Sequence, residues 1–255
     1  MSNTITELRL SCDSRLVEVE FNLRRGTSSN SYLLKGAGGG YEVLIDVPSS
    51  VYDSDWVGQL AQLGATASLR SVILTRLNPE RLPTLTRLLA ALQPGVQLLV
   101  TNPGVQLLKD RSAASPELAE ALRKARLVTI TRSSELRLST GSTLRFIPIS
   151  TPRWPDLVAV YSEADKTLFS SNFFSAHVAQ GATDGEGGWA AFGGDWQHYF
   201  DCMLAPSARQ AASEWHAAGG RVGPLGVGVE WAAGAEAVAG GGLGNGGQGG
   251  WPAVA

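Results

Sequence analysis

Apolar and polar positions follow a period of two in some stretches of this chain. Val17, Val19 and Phe21 alternate with polar residues, which predicts a half-buried strand over 15–21. Residues 31–35 and 41–46 are strand-like on either side of five residues rich in glycine, 36–40, which predicts a hairpin. Other short apolar stretches predict further strands at 71–75, 97–101, 127–130, 135–139, 142–149, 156–162 and 167–172.

Other stretches have helical spacing. Trp56, Leu60 and Leu63 share one face over 53–63, and Ser115 followed by Pro116 is a typical helix start. The predicted helices are 53–63, 82–92, a short one from 103 to 108, 116–125 and 207–220. The order of strands, αβ units, strands and a helix predicts an αββα sandwich of two mixed sheets, in the α/β (α+β) class.

The last part of the chain differs in composition. From about Val222 glycine and alanine dominate and charges almost vanish. Such a stretch buries too little surface to offset the entropy of ordering it. The sequence therefore predicts a folded domain over 1–221 and a disordered tail over 222–255, although an artefact of gene structure would give the same composition.

Composition and charge exclude several classes of protein. The net charge is -2, so neither a nucleic-acid partner nor a membrane surface is implied. Cys12 and Cys202 are too few for a disulfide framework or a thiolate metal site. No apolar run is long enough to span a bilayer, and the first residues do not form a signal or transit peptide. The chain is expected in the cytoplasm, or in the plastid stroma if a targeting segment is missing.

The strand predicted over 71–75 is followed by an unusual group of polar residues. Together the strand and these residues, 71–81, read SVILTRLNPER. This stretch resembles the segment of flavodiiron proteins, a branch of the metallo-β-lactamase fold, in which a strand ends in His-x-Glu-x-Asp-His. On that pattern Arg76 and Arg81 take the two His positions, Asn78 takes the Glu and Glu80 takes the Asp.

Two later segments extend the resemblance over residues 15–206. Trp154-Pro155-Asp156 is retained, with Arg153 in place of a His ligand. Asn172 stands where the bridging Asp would be, and Val222 where the last His would be. These departures fit the photosynthetic subclass best, because some of its members also replace His and Asp ligands by Arg and Asn.

The resemblance implies a reaction and a set of cofactors. The family reduces O2 or NO at a di-iron centre, with FMN supplied by the partner protomer of a head-to-tail dimer. Photosynthetic members are electron sinks downstream of photosystem I. The FMN domain is not in this sequence, and only Glu80 among the substituted positions could still ligate a metal well, since arginine offers no lone pair.

We therefore expect no metal and no cofactor bound by this chain alone. Any oxidoreductase role would need a homo- or hetero-oligomer with a flavodiiron-type protein. The alternative is a non-enzymatic degenerate scaffold or interaction domain, or a truncated product. A hydrolase is the weakest hypothesis, because hydrolysis needs a metal-activated water.

Arg76, Arg81 and Arg153 would converge at the strand ends of the expected fold. Three cations need partners, for which Glu80, Asp156 or a bound anion are candidates. Two interpretations stay open: an anion site that uses guanidinium forks, and an internal salt-bridge network that replaces the metals structurally.

Other potential sites are less favoured. His177, His198 and His216 lack the spacing of metal-ligand pairs and are expected to be structural or surface residues. The glycines of 36–40 lack the Gly-Lys-Ser/Thr ending of a phosphate loop. Trp154 and Trp196 are expected to form an apolar wall, with cofactor contact as the alternative.

Overall fold

The protein is described by a computed structural model. It describes residues 4–12, 25–52, 55–149, 151–174, 179, 188–203, 205–210, 213, 220–222, 229–231 and 236–238. The chain divides into two compact units. The first comprises Met1–Leu10 and Ser29–Thr143, and the second comprises Ser11–Ser28 and Leu144–Ala255.

The first unit is built on a six-stranded sheet whose strands follow one another in chain order. The pair at the hairpin is antiparallel, and the last four strands are parallel. Parallel neighbours need crossover connections, which here contain helices. The strands are β1 (Ile5–Cys12), β2 (Thr27–Lys35), β3 (Tyr41–Ile45), β4 (Ser71–Ile73), β5 (Gln97–Thr101) and β6 (Arg126–Ile130).

Helices cover one face of this sheet and bury its apolar residues. Leu85, Leu88 and Leu89 recur at helical spacing, and they pack with Leu44 and Leu98 of the strands in one core cluster. The helices are α1 (Trp56–Gln62), α2 (Ala65–Ser68), α3 (Leu82–Ala91), α4 (Asn102–Ala114) and α5 (Pro116–Lys124), with 3-10 turns at Ser50–Tyr52 and Pro79–Arg81.

A second sheet contains five strands. They are β7 (Glu135–Arg137), β8 (Thr143–Pro148), β9 (Val158–Ser162), β10 (Thr167–Phe169) and, after two other short strands, β13 (Glu236–Val238). The strand order is β13-β10-β9-β8-β7. The intervening elements are α6 (Gly188–Met203) and the antiparallel pair of β11 (Gly220–Val222) and β12 (Val229–Trp231), with 3-10 turns at Ser171–Phe174 and Ala205–Ser207.

The predicted mixed α/β fold with two sheets is confirmed. Two elements are clearly longer than predicted. The strand β2 begins at Thr27 instead of residue 31. The helix α4 continues to Ala114 instead of ending at Leu108, because no glycine or proline stops it. The strand β1 and the helix α6 are not among the predicted elements. The predicted strand over 15–21 lies outside the described residues, as does most of the predicted helix over 207–220, of which 208–210 and 213 are helical.

The boundary at 221/222 stays a prediction, because most of residues 222–255 lies outside the described residues. Two strands are nevertheless described there. β12 pairs with β11, and β13 lies parallel to β10 with Ala237 opposite Leu168. Backbone pairing needs no large side chains, so a glycine- and alanine-rich composition does not by itself exclude short strands.

None of the helices in the described part of the chain has the length and apolar character needed to cross a membrane.

Candidate functional site

Asp46 lies at the carboxyl edge of the first sheet, where β3 ends. Because β3 and β4 are parallel, the residues that follow both strands meet at this edge. The Asp46 amide donates a hydrogen bond to the carbonyl of Ile73 at 2.8 Å. Asp46 has a left-handed backbone conformation, with φ 64°. Aspartate tolerates this conformation better than most residues, and it turns the side chain back across the strand ends.

Thr75 holds both oxygens of the Asp46 carboxylate. Its backbone amide donates to Oδ1 at 2.8 Å, and its hydroxyl Oγ1 donates to Oδ2. Both residues are buried. The two hydrogen bonds therefore fix the orientation of a charged group that has lost contact with water.

Arg81 supplies the cation opposite this carboxylate. It closes the 3-10 turn Pro79–Arg81, which Asn78 caps by accepting a hydrogen bond at Oδ1 from the Glu80 amide at 3.0 Å. Arg81 Nη1 lies 3.5 Å from Asp46 Oδ1, and the two side chains are only 6% and 9% exposed. The contact is a buried ion pair.

The electrostatics of this ion pair are those of a desolvated carboxylate beside two cations. Burial is the largest influence and raises the pKa of Asp46 above its ordinary value. The charge of Arg81, the hydrogen bonds from Thr75 and the charge of Arg76 act in the opposite direction and lower it. Arg76 is itself buried. This carboxylate and these cations depend on one another for their burial.

Glu80 has a different environment from its neighbour Arg81. Its side chain is exposed. The Ser49 hydroxyl lies 3.5 Å from Glu80 Oε2, and the Ser50 hydroxyl donates to the Glu80 carbonyl at 2.9 Å. From the sequence, Glu80, Asp156 or a bound anion were the candidate partners of the arginines. Asp46, which is the carboxylate that Arg81 contacts, was not among them. The available signal was an aspartate placed directly after the apolar strand β3.

The predicted site residues of the second unit form another arrangement. The Asn172 amide Nδ2 donates to the Tyr199 hydroxyl of α6 at 3.1 Å, and both residues are buried. Tyr199 stacks on Trp154, with ring centroids 6.3 Å apart and an angle of 18° between the planes. Trp154 thus packs against Tyr199, and the apolar wall formed with Trp196 remains a prediction. Arg153 is exposed.

The sequence-predicted residues are therefore distributed over two units. Arg76, Asn78, Glu80 and Arg81 share the carboxyl edge of the first sheet. Arg153, Asn172 and Val222 belong to the second unit. The anion site formed by Arg76, Arg81 and Arg153 remains a prediction. Among the other candidates, the side chains of Val222 and Trp196 and the residues His177 and His216 lie outside the described parts of the chain, and His198 is half-buried.

Tyr199→Phe should lower the free energy of unfolding by about 1–3 kcal/mol, because it removes the acceptor of the buried Asn172 amide. Urea denaturation of the variant and the parent measures the difference. Gln197→Ala is a matched control on the same helix, because it removes only the exposed contact of Gln197 with Asp201. An equal effect of both substitutions would show that the Asn172 contact contributes nothing specific.

Comparison with known proteins identifies the fold. No protein-family model matches the chain. It is 35% identical over 193 residues to diflavin flavoprotein A 4 of Nostoc sp., an alignment that covers 76% of this chain and 31% of the relative. A solved structure, the metal-soaked Flv1 flavodiiron core from Synechocystis sp., matches with a TM-score of 0.73 and 32% identity, over 85% of this chain and 53% of that one.

The chain is homologous to the flavodiiron core domain. A crystal structure of fragment 1–254 of diflavin flavoprotein A 5 from Nostoc sp. has the same fold, with a TM-score of 0.69 and 27% identity over 84% of both chains. The predicted relationship to flavodiiron proteins and the metallo-β-lactamase-like fold are thus confirmed. The chain spans about a third of the length of the curated relatives that it matches.

The described residues of this chain do not fit a pair of iron ions. Guanidinium groups of Arg76 and Arg81 have no lone pair to give. The Asn78 side-chain oxygen accepts a hydrogen bond from the Glu80 backbone amide. Within the described ranges no group of three or more His, Cys, Asp and Glu residues is placed to hold a metal ion. Iron ligation would need several such side chains.

Proposed function

We propose that this flavodiiron core works without a di-iron centre of its own, as one part of an oligomer with a flavodiiron-type subunit that carries iron and FMN. The proposal rests on the residues at the carboxyl edge of the first sheet. Two buried arginines, Arg76 and Arg81, occupy positions at which the family pattern has histidines, and Arg81 pairs with Asp46.

The proposed role of the chain in such an oligomer is structural. A ligand-competent subunit would supply the reduction of O2 at iron, with electrons delivered through FMN. In this chain, the hydrogen bonds of Thr75 and the charge of Arg81 connect the ends of β3 and β4 through Asp46. The fold is thereby preserved as a surface on which a flavodiiron-type partner can assemble.

The organisms of the relatives suggest the process in which the oligomer takes part. The matched diflavin flavoproteins come from Nostoc sp. and Synechocystis sp., which are cyanobacteria. We propose that the oligomer is an electron sink that reduces O2 downstream of photosystem I. Hydrolysis is not proposed, because Arg76 and Arg81 offer no lone pair with which to hold the metal that would activate a water.

The test is reconstitution with a full-length relative, diflavin flavoprotein A 4 of Nostoc sp.. Sedimentation should show a complex of the two chains, and an oxygen electrode should show O2 consumption by the complex but not by this chain alone. Complex formation without any change in the activity of the relative would favour the non-enzymatic scaffold. Oxygen consumption by this chain alone would contradict the proposal.

A further inference from the structure

β6 is the last strand of the first sheet. Its inner edge pairs in parallel with β5, so that Leu127 lies opposite Leu98 and Thr129 opposite Val100. No strand of the described residues pairs with its outer edge. An unpaired edge presents backbone amides and carbonyls that can accept an additional strand.

The side chains of β6 are much more exposed than those of β5. Arg126, Leu127 and Thr129 are exposed, whereas Leu98 and Val100 in the neighbouring strand are buried. Leu127 is 40% exposed and is one of three large hydrophobic residues with such exposure among the described residues. An apolar side chain at an open edge offers a contact for the side chain of a pairing strand.

The segment that contains this edge is strongly basic. From residue 123 to residue 137 there are five cations and one anion, so the segment carries 5 − 1 = +4, against -2 for the whole chain. All six of these residues are exposed, and Arg123 forms an ion pair with Glu120 just before the segment. We call β6 with these flanking cations the basic edge: Arg123, Lys124, Arg126, Arg132, Arg137 and the strand Arg126–Ile130.

We propose that the basic edge binds an extended acidic segment of a partner protein, which adds to the sheet as a strand beside β6. Main-chain hydrogen bonds to the outer edge would supply affinity. The surrounding cations would steer an acidic partner and fix its register.

A second copy of this chain is a poorer occupant of the same surface. Pairing of β6 with its own copy would bring two segments of charge +4 together at the distance of neighbouring strands. That distance is shorter than the screening length of about 8 Å at physiological salt, so the repulsion would be felt. An acidic strand reverses the sign of this interaction.

The experiment measures the binding of a labelled synthetic peptide of alternating glutamate and valine by fluorescence anisotropy. Two further peptides serve as comparators: a lysine–valine analogue and a glutamate–valine peptide with N-methyl groups that block strand pairing. We expect the unmodified acidic peptide to bind at least about tenfold more tightly than either comparator. Equal binding of the acidic and basic peptides, no binding at all, or no effect of N-methylation would overturn the proposal.

Variants of the protein locate the site. The double substitution Lys124→Glu and Arg126→Glu should weaken binding of the acidic peptide by about tenfold or more. Arg87→Glu, an exposed charge reversal on α3, should leave it unchanged. Thermal melting checks that each variant is folded. The proposal fails if Arg87→Glu weakens binding as much, if single-stranded poly-uridine binds more tightly than the peptide, or if the protein self-associates through this edge.

Discussion

Replacing Arg81 by leucine should lower the free energy of unfolding by about 3–5 kcal/mol, because the substitution leaves the Asp46 carboxylate buried without its cation. Asp46 accepts hydrogen bonds from Thr75 but is almost completely shielded from water, so solvent cannot replace the lost charge. Urea denaturation at neutral pH measures the effect. Arg87→Leu is the matched control, because Arg87 is exposed on α3. Its substitution should change stability by less than about 0.5 kcal/mol.

A double-mutant cycle separates the ion pair from simple loss of packing. Asp46→Asn keeps a side chain that tolerates the left-handed backbone and can still accept from Thr75. If the pair is the main interaction, Arg81→Leu should cost about 1–3 kcal/mol less in the Asp46→Asn background than in the parent. Strictly additive effects would mean that the two side chains do not interact energetically.

The penalty of Arg81→Leu should also grow as the pH rises from 4 to 8. Burial raises the pKa of Asp46 above its ordinary value of 3.8. Between the pKa of the unfolded chain and the higher pKa of the folded protein, the folded protein holds a proton on Asp46 that the unfolded chain has released. The free energy of unfolding therefore falls as the pH rises through the folded pKa. Arg81 lowers this pKa. Its removal raises the pKa further, so the loss of stability extends to higher pH.

Urea denaturation of the parent and of Arg81→Leu over this pH range measures the difference. In the Asp46→Asn background the substitution should cost the same at every pH, because the titrating carboxylate is absent. A penalty that is constant with pH in the parent background would show that Arg81 does not influence the ionisation of Asp46.

Much of the first unit follows from local pattern. Continuous apolar runs predict β4 and β5 because both faces of these strands are buried. Ser115 predicts the start of α5, and its side chain does accept from the Leu118 amide. By contrast α6 has glycines and aromatic residues within it, so helix propensity is low and its helical structure depends on tertiary contacts such as the Asn172–Tyr199 hydrogen bond.

The candidate site was only partly predictable, because some of its contacts join residues that are distant in sequence. The residues after β4 were recognisable because they follow an apolar strand in a known order. Asp46 was missed because an aspartate after a strand is also common at the start of a turn, and its partner Thr75 is distant in sequence. The exposure of Arg153 could not be read from sequence either, since it depends on the path of the chain before Trp154.

Iron content decides most directly whether this core works without a metal centre of its own. The chain is expressed with added iron and purified without oxygen, beside a flavodiiron protein that loads iron under the same conditions. Elemental analysis should find less than about 0.1 iron per chain, and a chelator should leave the unfolding midpoint unchanged. About two irons per chain, lost on Glu80→Ala, would contradict this interpretation.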